Sequence, residues 1–203
     1  RCKIRMSPPR SCGDIGKQLL VVMADITARK STEQIVQHLA LHDALTGLSN
    51  RTLLFDRLEG AITAARRRNT SFALFFLDLD NFKPINDSLG HDAGDFVLKI
   101  IAQRLQSSIR ESDTVARVGG DEFVLVLQEV HGPQAALSVA EKTIAALSNP
   151  IRIDKQLCEV GATLGIALYP DHGDDADTLI RHADAAMYAA KRLGKNRCLI
   201  WRD

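Results

Sequence analysis

Hydrophobic positions fall along the chain in two recognisable rhythms. Leu53, Leu54, Leu58, Ile62 and Ala65 recur every three or four residues, the stripe of a helix with one face on a core, and Asn50 stands where an N-cap belongs. Phe72–Leu77 is an unbroken apolar run, suited to a central strand covered on both faces, and it stops abruptly at Asp78-Leu79-Asp80. A glycine-punctuated loop then leads to a helix from about Gly94 to Ile109. Val115–Val118 and Phe123–Leu127 are short strands on either side of Gly119-Gly120, which makes a hairpin. The pattern predicts a helix over Pro133–Leu147, strands near Ile151–Ile153 and Cys158–Leu168, a helix over Asp175–Leu193 and a closing strand over Cys198–Trp201. Helices alternate with hairpins, so the fold class is α+β, a mostly antiparallel central sheet flanked by helices.

The N-terminal stretch follows a different pattern. Arg1–Met6 and Gln18–Ile26 read as a strand pair, which alone is marginal in water. From Ala28 to His42 no Gly or Pro intervenes, and Ile35, Val36, Leu39 and Leu41 form a narrow apolar stripe, a helix. It is either a connector packed on the next domain or half of a two-helix coiled coil; sustained heptads are missing. The chain therefore divides into residues 1–28, a linker helix over 29–42, and a main domain over 43–203.

Composition narrows the class. The 203 residues suit one domain with an appendage, and a 45% hydrophobic content excludes the disordered class. Lys and Arg number 26 against 25 Asp and Glu, a net charge of +1, which argues against nucleic acid as a partner. No apolar stretch approaches the roughly 20 residues of a membrane span. Cys2, Cys12, Cys158 and Cys198 lack metal-ligand spacing and read as reduced thiols, so a cytoplasmic location is expected. The chain starts at Arg1 without a signal peptide and reads as a piece of a longer protein.

Two places break the local rules, and both are acidic. Asp78 and Asp80 share a face at the end of the most apolar strand, where ionised carboxylates are costly unless paired or metal-bound. Asp121-Glu122 follows Gly119-Gly120, whose missing side chains leave the backbone open to a ligand. If the hairpin lies beside the central strand, Asp78 and Asp121 converge, and hard oxygen donors of this kind suit Mg²⁺ with phosphate and water as its other ligands. Lys83 follows the first cluster, and Lys191 and Lys195 are candidate phosphate partners, but surface lysines are usually solvated and spacing alone does not choose them. A strand-end turn and an ordinary hairpin tip are the plain alternatives for the two acidic places.

These residues resemble a known family, the GGDEF-domain diguanylate cyclases. The signature stands as Gly119-Gly120-Asp121-Glu122-Phe123, and an opening motif as Asp43-Ala44-Leu45-Thr46-Gly47-Leu48-Ser49-Asn50-Arg51. Asp78-Leu79-Asp80-Asn81-Phe82-Lys83-Pro84-Ile85-Asn86-Asp87, Gly90-His91-Asp92-Ala93-Gly94-Asp95 and Ala183-Asp184-Ala185-Ala186-Met187-Tyr188, with Lys191 and Gly194-Lys195-Asn196, also match. The resemblance spans about residues 40–203. It implies a nucleotide-cyclase-like (ferredoxin-like) sheet and the condensation of two GTP into cyclic di-GMP with release of two pyrophosphates. It implies that Asp78, Asp121 and the Leu79 carbonyl hold Mg²⁺, or Mn²⁺ in its place. Asp121 or Glu122 would help deprotonate the attacking hydroxyl. Asn86 and Asp95 would read the guanine edge, where a carboxylate accepts from N–H donors and an amide donates. Phe82 and Lys83 would lie on a loop whose amides cradle phosphate, beside Gly119 and Gly120, and Lys191 and Lys195 would meet the triphosphate. Each chain would bind one GTP, so catalysis implies a homodimer.

Arg110-Glu111-Ser112-Asp113 is an R-x-x-D just before the signature. By the resemblance, Arg110 and Asp113 form an inhibitory site for the product; the plain alternative is a helix-end Arg and a solvated loop Asp. Three departures from the family stand out. Lys195 replaces a frequent Arg, Thr163-Leu164-Gly165 replaces Ser-x-Gly, and Pro84 removes a backbone donor. Met23-Ala24-Asp25-Ile26-Thr27-Ala28-Arg29-Lys30 resembles the last strand and exit of a PAS sensor domain. Two other functions compete with a cyclase: a GTP-binding regulatory module joined to a downstream EAL phosphodiesterase domain, and a dimerisation module.

Overall fold

The computed structural model describes residues 40–154 and 156–202. The expected strand pair and PAS-like hairpin over 1–28, and the linker helix over 29–42 except for 40–42, lie outside the described residues.

The most apolar run forms the centre of the sheet. Strand β1 (Phe72–Asp80) pairs antiparallel with β3 (Glu122–Gln128) on one side and with β6 (Gly161–Tyr169) on the other. Outside them lie β2 (Thr114–Gly119), antiparallel to β3, and β7 (Cys198–Ile200), parallel to β6, giving the order β2-β3-β1-β6-β7. The sheet is thus mostly antiparallel, as the sequence pattern predicts. A separate hairpin pairs β4 (Ile151–Ile153) with β5 (Gln156–Cys158).

Helices cover both faces. On one face, Ala73, Phe75, Leu77 and Leu79 of β1 pack with Val97, Ile101 and Leu105 of α3 (His91–Ser108) and Ala136 and Ala140 of α4 (Pro133–Leu147). On the other, Phe72, Leu74 and Phe76 pack with Leu54, Leu58 and Ile62 of α1 (Arg51–Arg68) and Leu179, Ala183 and Met187 of α5 (Ala176–Arg192). The two-residue period of a strand assigns alternate residues to opposite faces. Asp78 and Asp80 therefore continue the face covered by α1 and α5.

Helix α1 matches its predicted stripe, and the Leu53 N–H donates to the Asn50 side chain at 3.1 Å. Helix α5 lies tight on β6: a Cβ on Gly165 would overlap the Ala183 carbonyl oxygen and the Met187 nitrogen.

Two expectations are corrected. The stretch after β1 is not a loop: it holds α2 (Phe82–Leu89), and α3 begins at His91 rather than near Gly94. Phe82 and Ile85 are buried at helical spacing, and Pro84 sits in the first turn, where its missing N–H has no intrahelical partner to lose. Gly90, at φ +86°, separates the two helices. The single strand expected over Cys158–Leu168 is divided, with β5 ending in the small hairpin at Cys158 and β6 starting at Gly161.

Candidate active site

The acids collect at one end of the sheet because the strand register brings them there. Asp78 lies opposite Glu122 on β3 and Thr163 on β6. The β2–β3 turn carries Asp121 onto β1, where the Leu79 N–H donates to the Asp121 carbonyl oxygen at 3.2 Å. Gly120 adopts φ +49°, and a Cβ at either Gly119 or Gly120 would meet nothing within 4 Å, so the turn is open to a close-approaching ligand.

The electrostatics of this end are strained. Asp78 is 13% exposed and accepts from Lys191 Nζ of α5 at 2.6 Å. Burial pushes its carboxyl above the usual range; Lys191 opposes that shift, while Asp121 and Asp80 reinforce it. Burial also raises Glu122, helped by the charges of Asp78, Asp184 and Asp121 and opposed by Lys191. Half-buried carboxylates that raise one another favour a bound cation.

The donor chemistry suits Mg²⁺. Among the described residues, no three His, Cys, Asp or Glu side chains stand together as a ready-made cage. Two carboxylates, Asp78 and Asp121, with the Leu79 carbonyl would leave the remaining positions to phosphate and water, the usual Mg²⁺ arrangement.

The other predicted residues occupy defined places. Phe82 is buried at the first position of α2 and Lys83 is exposed at the second, so these amides belong to a helix N-terminus. Asn86 lies over Gly94, where a Cβ would overlap its Oδ1, and Asp95, the next residue along α3, is exposed. Lys195 stands exposed on the turn after α5.

Arg110 and Asp113 lie at the far end. The Arg110 N–H donates to Asp113 Oδ2 at 3.0 Å, and the Gln128 N–H donates to Oδ1 at 2.9 Å. Gln128 pairs with Phe72 while Glu122 pairs with Asp78, so six strand steps, roughly 20 Å, separate this turn from the acids. A cavity of about 590 Å³ borders the turn, lined by Arg110, Asp113, Arg57 and His42 among others. A second, of about 610 Å³, lies beside Phe96 and Arg152. Asp78, Asp121 and Glu122 line neither cavity.

Three residues escaped sequence reasoning. The Arg117 guanidinium holds Asp43 by Nη1 at 3.1 and 3.2 Å, and its Nε and Nη2 donate to the Gly120 carbonyl at 3.0 and 2.8 Å. It ties the opening motif to the glycine turn. Asp184 acts on Glu122 through charge. Thr163 donates to Asp80 Oδ2 at 2.7 Å. The positions of Asp184 and Thr163 within quoted motifs were the available signal; for Arg117 there was only its nearness to the signature.

Comparison with known proteins agrees with this arrangement. The family model "Diguanylate cyclase, GGDEF domain" matches residues 40–197. The bifunctional diguanylate cyclase/cyclic di-GMP phosphodiesterase MucR of Pseudomonas aeruginosa is 47% identical over 175 residues, 86% of this chain and 25% of MucR. Diguanylate cyclase TpbB of the same organism is 47% identical over 156 residues, 76% of this chain and 36% of TpbB. The chain thus spans between a quarter and about a third of these relatives. The solved GGDEF domain of TpbB matches with a TM-score of 0.77 at 43% identity, covering 79% of this chain and 94% of that one. The coiled coil and GGDEF domain of DgcB from Caulobacter crescentus, solved in complex with c-di-GMP, matches with a TM-score of 0.76 at 29% identity, covering 85% and 91%. With the signature on an open hairpin beside Asp78, and this likeness in both sequence and fold, the chain belongs to the GGDEF diguanylate cyclase domain family.

Proposed function

We propose that the chain condenses two GTP molecules into cyclic di-GMP and two pyrophosphates. The observation that carries this reading is the strand register that brings Asp78, Asp121 and Glu122 together beside an open glycine turn, with Lys191 on Asp78. Asp78, Asp121 and the Leu79 carbonyl would hold Mg²⁺ or Mn²⁺, which when bound supplies charge stabilisation at the phosphoryl oxygens.

The chain's own residues do the rest. The amides of Phe82 and Lys83 at the start of α2 face an anion, as helix N-termini do. Asn86 and Asp95 read guanine, and Lys191 and Lys195 bind the triphosphate as point charges. Asp121 or Glu122 accepts the proton of the attacking 3′-hydroxyl. The raised pKa of Glu122 brings a carboxylate closer to neutral pH, where a general base works best.

One GTP per chain supplies half of the product, so two chains face each other as a homodimer. Product held by Arg110 and Asp113 inhibits from roughly 20 Å away. It therefore acts through the pairing of chains rather than by occupying the acids. The cavity beside Arg110 supports such a site.

A second reading is a GTP-binding regulatory module within a larger enzyme. The likeness to MucR, which carries two activities in its name, favours it. Incubation of the chain with GTP and Mg²⁺, followed by nucleotide chromatography, tests both. Cyclic di-GMP formed by the chain and absent with Asp121→Ala supports the cyclase. GTP binding without product supports the module.

A further inference from the structure

Asp80 is the acid that the proposed chemistry leaves unused. It ends β1 and is 4% exposed. Its Oδ2 accepts from the Thr163 hydroxyl at 2.7 Å and from the Asn196 N–H at 2.9 Å, and the Asn196 N–H also reaches Thr163 Oγ1 at 3.0 Å. Among the described residues no donor reaches its Oδ1. A buried carboxylate with one bare oxygen adds little to stability, and an apolar side chain would pack there at lower cost.

Its partners explain why a carboxylate stands there. Lys195 and Asn196 both take left-handed backbone angles, φ +58° and +46°, without being glycine. Such residues persist where their surroundings over-determine them. Asp80 Oδ2 holds the Asn196 N–H. From the other side, the Asn196 Oδ1 accepts from the Ala162 N–H at 3.4 Å and from Ser148 Oγ at 3.3 Å. At Gly161 a Cβ would press on both Asn196 Oδ1 and Asp80 at 3.3 Å, so the absent side chain makes room for the knot. The turn fixed in this way is the one that presents Lys195.

We propose that Asp80, with Thr163, is a positioning residue that pins the Lys195–Asn196 turn and so aims the Lys195 ammonium at the triphosphate of the bound nucleotide. This rests on the reading of the site as a GTP site. Asp80 touches neither nucleotide nor metal in this role; it acts through Lys195.

Binding of a GTP analogue with a methylene bridge between the α- and β-phosphates, which cannot release pyrophosphate, tests the proposal alongside binding of GMP. Thr163→Val keeps the shape and removes the hydroxyl, and Asp80→Asn removes the charge. Each is expected to weaken the triphosphate analogue by about tenfold, the scale of a lost charge-assisted contact. GMP, which has no γ-phosphate to meet Lys195, should bind within about twofold of its original affinity. Thr163→Ser should restore the analogue's affinity. In the Lys195→Ala background, Thr163→Val should have no further effect, the non-additivity of two residues acting as one. Equal weakening of both nucleotides, or additive effects of Thr163→Val and Lys195→Ala, would overturn the proposal while leaving the GTP site standing. Failure of the unmutated chain to bind the analogue would overturn both. Thr163→Val keeps the test alive if Asp80→Asn does not fold.

Discussion

Replacing Arg117 by alanine should cost stability in a way that depends on pH. The side chain makes two bonds to the Asp43 carboxylate, at 3.1 and 3.2 Å, and two to the Gly120 carbonyl, at 3.0 and 2.8 Å. The pair is partly buried, with Arg117 13% and Asp43 23% exposed. An exposed ion pair contributes at most about 1 kcal/mol, and breaking a fully buried one costs about 3–5 kcal/mol. This pair lies between those limits, so Arg117→Ala should lose about 2–3 kcal/mol at neutral pH. In a domain of this size that lowers Tm by about 4–12 °C.

The pH dependence follows from Asp43. Burial raises its carboxyl, but hydrogen bonds from the Thr46 hydroxyl and N–H and from Arg117 outweigh it, and the net position is below the ordinary range. A carboxylate with a depressed folded pKa stabilises the protein above its unfolded pKa. That contribution is lost as pH falls through the folded value. The gap between the unmutated chain and Arg117→Ala should therefore narrow below about pH 4, leaving the share owed to Gly120. Urea midpoints at neutral pH and at about pH 3, with the slope unchanged, measure it. A gap of the same size at both pH values, or one below about 0.5 kcal/mol at neutral pH, would refute the reasoning. Freed from Arg117, the Gly120 carbonyl should also relax, so turnover should fall further than the loss of folded protein explains.

Three further outcomes are expected. Glu122→Gln should abolish cyclic di-GMP formation yet raise Tm at neutral pH. The folded pKa of Glu122 is raised by burial and by Asp78, Asp184 and Asp121, so its charge destabilises the fold above that pKa, and the gain should vanish below about pH 4, where folded and unfolded chains are both protonated. An unaltered Tm at neutral pH would remove the acidic cluster as a source of strain. Gly165→Ala drives a methyl into the α5 backbone and should cost at least about 3 kcal/mol by thermal unfolding; a loss under about 1 kcal/mol would mean that α5 can lift off β6 freely. Arg110→Ala should raise the product concentration for half-inhibition by about tenfold in a turnover assay, and an unchanged value would return Arg110 to the plain surface.

Most of the elements, and the acids singled out as candidates, were legible in the residue pattern alone. Apolar periodicity is a local signal: it marks α1 through Leu53, Leu54, Leu58 and Ile62, and β1 through Phe72–Leu77, because burial of one face or two is written into residue type. The abrupt change to Asp78 and Asp80, and the glycines before Asp121 and Glu122, exposed the acids for the same reason. The helix over Phe82–Leu89 was missed because eight residues bounded by Asn81 and Gly90, with Pro84 inside, carry breaker signals stronger than two buried positions. Which residues meet across the site follows from the packing of whole elements. Strand register, set by β1, β3 and β6 together, laid Glu122 and Thr163 beside Asp78. The two-residue alternation of β1 then turned Asp78 and Asp80 toward α5, so that Lys191 reached one and the Asn196 turn closed on the other. Arg117 joined Asp43 to Gly120 across 74 positions of chain. Contacts between residues so far apart in sequence depend on how whole elements pack, and no local pattern records them.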